Sequence, residues 1–370
     1  MHIVGSYYRK EVHMQYIIII VAIVVICLIA LKVKRVFVKN PATEVATIMI
    51  TSGVSLVVSA FPGIREAVTA VIASIANIKV SLKTDPLAIT AGFFLIGLGF
   101  VYNRNIKDRT YVLNMYGMFS QLDISDIQHI EELNLTDFKV KESVIDIVDV
   151  FSNGEMSDEK NRIITNKINK RCDAFKSRSA DYKACFTGMA PIPYTMFAGN
   201  CLSGGSISRF FEYKRSENKY IELEKKGKNY PTLKIEKDEA NKEAQDVLVT
   251  ISVTMSVLDA DVMQFRGCDR VIIKLDNPAN NVITNIQQLS NYVTTIVDGI
   301  EKLKVDYPNL RTVHLAASIP SCLAEQLGEK FMLNSNRLPK IVAYHYDAKQ
   351  NPKYQFGIVV SGGESGKLVM

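Results

Sequence analysis

Residues 314 to 328 read HLAASIPSCLAEQLG, an apolar run that halts at Ser318, Ile319, Pro320 and Ser321 and resumes at helical spacing through Leu323 and Leu327. A proline opening a helix fixes the backbone while giving up an amide that has no partner there. The free N–H groups beside it, with the positive end of the helix dipole, suit a phosphate, and Ser318 and Ser321 add hydroxyl donors. The same residues also make a plain strand-to-helix turn closed by a serine cap. A second turn of this kind lies in MAPIPYTMFAG at 189 to 199, which brings in Pro191, Pro193 and Tyr194, and Pro193 is expected to match Pro320.

Other candidates stand at strand ends. Thr254 and Ser256 follow the strand VLVTISV, and Lys214, Arg215 and Tyr346 lie at or near the ends of FFEYKR and IVAYHYD. Cations and an aromatic ring there meet phosphates and stack on bases. Solvated charges and a packing tyrosine are the alternative roles.

Nothing in the chain assembles for catalysis. The five histidines (2, 13, 129, 314 and 345) are far apart, and His314 and His345 sit inside apolar strands as sheet residues. No G-x-S-x-G or H-E-x-x-H occurs. The tail SGGESGKLVM departs from a P-loop at Ser361, where glycine is required, and at Leu368, where Ser or Thr is required. The six cysteines form no C-x-x-C pair, which argues against zinc and a disulfide framework and fits a reducing cytoplasm. No catalytic residue and no metal site is therefore expected. A net charge of +6 over 370 residues is modest, compatible with an anionic ligand or a lipid surface.

The elements that must position these residues alternate. Strands are expected at 144–151, 182–190 and 210–215, with a charged helix at 157–176 and a small-residue helix around Phe197 and Gly199. After a charged, structure-poor joining stretch from Ser216 to Lys242, the grammar repeats. Strands at 247–253, 271–275, 313–317 and 341–347 are interleaved with helices at Ile283–Leu303 and Leu323–Phe331. Strand–helix alternation implies mostly parallel sheets with right-handed crossovers, hence two tandem Rossmann-like halves, about 144–215 and 245–370. Ligands in such sheets sit outside the carboxyl ends of the strands, where both proline turns fall.

The N-terminal part is different. Tyr16 to Leu31 is almost unbroken aliphatic chain, and uncharged runs follow at Val45–Ile64 and Pro86–Asn103. Each approaches the roughly 20 residues that a helix needs to cross a bilayer. Lys32, Lys34, Arg35 and Lys39 crowd one exit and Arg104, Lys107 and Arg109 another, which places both clusters in the cytoplasm. Three crossings, or two with a re-entrant segment at Ala67–Ile78, satisfy this pattern. The expected organisation is an α-helical membrane region of two to three transmembrane helices at 1–103, a helical connector at 104–143 and a soluble domain at 144–370.

HLAASIPSCLAEQLG followed by LPKIVAYHYD, with the earlier MAPIPYTMFAG and FFEYKR, resembles the SAVED domain, a fusion of two CARF-like halves. The resemblance covers roughly Val144 to the C-terminus. It implies a sensor of a cyclic oligonucleotide, a cyclic trinucleotide first and a cyclic dinucleotide second, with no polymeric nucleic acid as partner. It further implies a signal made by a nucleotidyltransferase on phage infection, self-association on binding, and an effector in the bacterial inner membrane with its sensor in the cytoplasm. Two other readings use the same residues: a membrane-anchored cyclic-oligonucleotide phosphodiesterase, and a ligand-gated channel component outside defence.

Overall fold

The computed structural model describes residues 41–60, 86–107, 110–117, 140–152, 154–179, 182–205, 207–214, 219–227, 229–237 and 241–370. They fall into two units, Met1–Arg109 and Thr110–Met370.

The first unit contains helices α1 (Pro41–Ala60) and α2 (Pro86–Lys107). Each opens on proline, which costs no hydrogen bond in a first turn. The pair packs through glycine. A methyl group on Gly53 would lie 2.5 Å from the carbonyl oxygen of Gly92, and one on Gly92 would lie 2.6 Å from that of Gly53. Small residues permit such close backbone approach between helices. Phe93, Phe94 and Phe100 are exposed on α2. Pro86–Arg104, 19 residues of mean hydropathy 1.6, is long and apolar enough to cross a membrane, and Val45–Val57 is a shorter apolar helix. The expected spans at Tyr16–Leu31 and Ala67–Ile78 lie outside the described residues.

The second unit is mixed α/β. In order it holds β1 (Thr110–Tyr116), β2 (Val140–Asp146), α3 (Val148–Ser152), α4 (Asp158–Ser179), β3 (Lys183–Met189), α5 (Ile192–Leu202), β4 (Ile207–Lys214) and β5 (Lys219–Glu222). There follow β6 (Lys234–Lys237), β7 (Asp246–Ser252), a 3₁₀ turn at Asp259–Phe265, β8 (Asp269–Lys274) and α6 (Ile286–Asp306). The chain ends through β9 (Thr312–Ser318), α7 (Ser321–Leu333), β10 (Lys340–Tyr344), β11 (Gly357–Val359) and β12 (Leu368–Val369).

The strands form two sheets, ordered β2-β1-β3-β4-β5 and β12-β11-β10-β9-β7-β8-β6. β2, β1, β3 and β4 pair in parallel, as do β10, β9, β7 and β8, while β5, β6, β11 and β12 add antiparallel edges. One apolar core joins side chains of both sheets, among them Leu113, Phe186, Val249 and Leu315. Helices α5 and α7 pack directly on one another.

Three expectations are corrected. The stretch 104–143, read as a helical connector, contains β1, which lies between β2 and β3 and is an inner strand of the first sheet. Its residues Thr110 to Met115 are all buried, as in a strand covered on both faces, so they show no alternation to read. The strand expected at 144–151 runs instead from Val140 to Asp146. It stops there because the Asp146 carboxylate accepts the Val148 amide at 3.0 Å and turns the chain into α3. Finally, the joining stretch Ser216–Lys242 is not structure-poor throughout: it supplies β5, paired with β4, and β6, paired with β8.

Candidate functional site

The site is built where β3 and β9 pass into α5 and α7. Pro191 caps α5 and Pro320 caps α7, and neither terminus carries a side-chain cap of its own. Pro191, not Pro193, is therefore the counterpart of Pro320. Pro193 lies inside the helix, where its lost amide is one of those with no intrahelical partner. Pro191 stands as far beyond the end of β3 as Pro320 does beyond the end of β9, and that distance fixes the cap.

A cavity of about 180 Å³ opens beside the α5 terminus, at the carboxyl ends of the parallel strands. Pro191 and Ile192 line one side, Thr254 to Val257 and Ser318 another, and His345, Tyr346, Asp261 and Tyr354 the rest. The Thr254 and Ser318 hydroxyls share a hydrogen bond of 2.8 Å, and the Thr254 amide donates to the Ser318 carbonyl at 3.0 Å. Ser252 accepts the Val257 amide at 3.0 Å and so shapes the loop that presents Thr254 and Ser256.

The Asp261 carboxylate that lines the cavity is balanced by a lysine. Asp261, its side chain 8% exposed, binds the Lys353 ammonium at 2.8 Å, and that ammonium stands 5.7 Å from the Tyr346 ring centroid. Burial lowers His345 to about 4, so the imidazole is neutral at physiological pH. A wider cleft of about 1180 Å³ shares His345 and Tyr346 and extends past Phe151, Phe356, Lys349 and Gln355. Phe151 and Phe356 hold the His345 ring, with centroids at 5.1 and 5.3 Å. A helix terminus and two hydroxyls beside aromatic rings suit a ligand carrying both phosphate and base. Among the described residues, no group of His, Cys, Asp or Glu is arranged to hold a metal ion.

Of the residues singled out in the sequence, Pro191, Thr254, Ser256, Ser318 and Tyr346 line this one cavity. Pro193, Tyr194 and Pro320 are buried. The Tyr194 hydroxyl is turned inward, donating to Asn161 Oδ1 at 3.1 Å. Ser321 is engaged elsewhere: its hydroxyl donates to Glu212 Oε1 at 3.3 Å. Lys214 ends β4, half-buried and outside the cavity lining, and Arg215 lies outside the described residues.

Asp261, His345 and Tyr354 also line the cavity and are not among the residues singled out in the sequence. His345 directly precedes Tyr346, and its place at the end of an apolar strand was the available signal. Asp261 and Tyr354 come from irregular segments, where no periodicity marks them.

The family described as "SMODS-associated and fused to various effectors sensor domain", SAVED, matches residues 167–360. Among solved structures, the Acinetobacter baumannii Cap4 SAVED/CARF-domain containing receptor with the cyclic trinucleotide 2'3'3'-cAAA is similar at 13% identity and a TM-score of 0.47. That alignment covers 80% of this chain and 65% of the receptor. The Moraxella osloensis Cap4 SAVED/CARF-domain containing receptor is similar at 14% identity and a TM-score of 0.43, over 81% of this chain and 63% of that one. This chain thus spans less than two thirds of the length of either receptor. Comparison with curated proteins gives no match.

Proposed function

The chain belongs to the SAVED family of sensor domains, and from that premise we propose that it is a membrane-anchored receptor for a cyclic oligonucleotide. The sensor runs from Thr110 to the C-terminus and the effector is the apolar N-terminal region in the bacterial inner membrane. The ligand is a cyclic trinucleotide or a cyclic dinucleotide made by a nucleotidyltransferase. Its binding drives self-association, and clustering of the membrane helices disrupts the bilayer of a phage-infected cell.

One observation carries the ligand assignment. The α5 terminus, which has no side-chain cap among the described residues, the Thr254–Ser318 hydroxyl pair and the Tyr346 ring converge on a single cavity that opens onto a wider aromatic cleft. A phosphate is stabilised by the first two and a base by the third. The narrower cavity is too small for a whole ring of nucleotides, so the ring extends into the cleft past His345.

The test is equilibrium binding of labelled cyclic di- and trinucleotides to the full chain in detergent, followed by recovery of the ligand. A sensor binds and returns the ligand intact. Failure to bind any of them removes the proposal, and recovery of linear products makes the chain a phosphodiesterase instead. Light scattering in the same solution reports assembly, and equal mass with and without saturating ligand removes that step.

A further inference from the structure

The carboxylate of Glu212, near the end of β4 in the first sheet, occupies the N-terminus of α7. Its Oε1 accepts the Cys322 amide at 2.7 Å and the Ser321 hydroxyl at 3.3 Å. Glu212 is only 8% exposed, and burial pushes its carboxyl upward against those two bonds. The contact runs from the strand of one sheet to the helix that follows a strand of the other. It is a carboxylate where a phosphate was expected.

Strand register identifies its counterpart. Phe186 pairs with Phe210 in the first sheet and Leu315 with Ala343 in the second, and Phe186 and Leu315 precede Pro191 and Pro320 by the same interval. Counting on equally from Phe210 and Ala343 brings Glu212 and His345 to matching places. Glu212 reaches the terminus of α7, and His345 lines the cavity at the terminus of α5. One matched position therefore holds an anion of the chain itself, and the other holds an uncharged ring beside open space.

Resting on the cyclic-oligonucleotide reading for the identity of the ligand, we infer that Glu212 is a built-in anion filling the second of two matched phosphate positions. The ligand seats a phosphate at α5 alone. The part of the ring turned toward α7 is a base or ribose, because a second phosphate there meets a carboxylate of like charge in a place sheltered from water. Glu212 thus sets the orientation of the ligand and limits each sensor to one anion seat.

Two measurements on the full chain in detergent test this. In the first, sodium formate or inorganic phosphate is titrated into wild type, Glu212→Gln and Glu212→Ala while thermal unfolding is followed. Glu212→Ala melts lower, and either anion restores part of the loss, with a smaller response from the other two proteins. Equal responses from all three overturn the anion seat; Glu212→Ser serves in place of Glu212→Ala should the latter not fold. In the second, the cyclic trinucleotide 3'3'3'-cAAA is bound to wild type and to Glu212→Gln, and the variant binds it about threefold to tenfold more tightly for want of a like charge. Unchanged or weaker binding by a folded Glu212→Gln overturns the exclusion of a second phosphate. Wild type that binds no cyclic nucleotide removes the proposed function, and the formate comparison still decides whether the α7 terminus is an anion seat.

Discussion

Gly199 and Gly328 hold reciprocal contacts at the crossing of α5 and α7. A methyl group on Gly199 would lie 2.0 Å from the Glu325 carbonyl oxygen, and one on Gly328 would lie 1.9 Å from that of Met196. Both glycines follow their capping prolines by the same interval, as do Met196 and Glu325, so the contact is the same one made twice about a local two-fold axis. Backbone approach this close allows Cα–H groups to meet carbonyl oxygens, and it fixes the α5 and α7 termini relative to each other. The geometry of the site starts here.

Gly199→Ala and Gly328→Ala should each cost roughly 3 kcal/mol, since a backbone carbonyl, unlike a flexible side chain, has nowhere to move. The loss would appear as a lower urea midpoint. A midpoint within error of wild type would mean that the crossing tolerates separation and does not set the site.

The sequence made this relationship half visible. Two proline turns at matching places were legible because a strand, a turn and a helix each leave a local mark: apolar run, proline with small residues, and apolar spacing. Helices α4, α6 and α7 could be read for the same reason, within a few residues at their ends. What escaped were pairings across the chain. β1 is buried on both faces and lacks alternation, and its role depends on strands far along the sequence. Glu212 looks like a surface charge in FFEYKR; only the approach of α7 makes it a buried cap. The five cavity residues that were found sit at strand ends, which topology alone marks as binding positions. Asp261 and Tyr354 come from segments with no such rule.

Ser318→Ala should weaken cyclic-oligonucleotide binding about tenfold, the usual consequence of losing one hydroxyl that donates to a charged group. Ser321→Ala should leave affinity within about twofold while lowering stability by about 1 kcal/mol, because its partner is Glu212 and not the cavity. Calorimetry and thermal unfolding on both variants separate the two roles. The reverse ranking would move the ligand to α7.

Glu325 predicts a pH dependence. Its side chain is fully buried on α7, Oε2 accepts from Gln326 at 3.0 Å, and Oε1 has no partner among the described residues. Burial raises the carboxyl to about 8, with Glu329 pushing the same way. The folded state thus holds this proton more tightly than the unfolded chain, so stability is full below the ordinary carboxyl value of 4.5 and is lost as pH rises toward about 8. The loss is on the order of a few kcal/mol. Glu325→Gln keeps the shape without the charge and should flatten that part of the curve. Melting temperatures of the two proteins that fall in parallel between about pH 5 and pH 9 would assign the slope elsewhere.

The apolar helices α1 and α2 offer the last prediction. Thr47, Thr51, Ser55 and Ser59 recur along α1, but the face of α1 that meets α2 is a different one, built on Ala46, Ile50 and Gly53. Thr51 and Ser55 are exposed, and their hydroxyls turn back to the Thr47 and Thr51 carbonyls at 2.8 and 2.9 Å. Such back-bonded hydroxyls are satisfied within one helix and leave a smooth polar face. In the proposed effector that face lies toward neighbouring hairpins or water once sensors cluster. Thr51→Leu with Ser55→Leu should therefore abolish ligand-triggered dye release from liposomes carrying the full chain, with membrane insertion and ligand binding retained. Gly92→Leu should also abolish release, but by forcing α1 and α2 apart, which a cross-link between cysteines introduced on the two helices would report. Release at wild-type rates from the double variant would exclude the hydroxyl face from the path, and a cross-link that persists in Gly92→Leu would exclude the glycine contact as the hairpin's clasp.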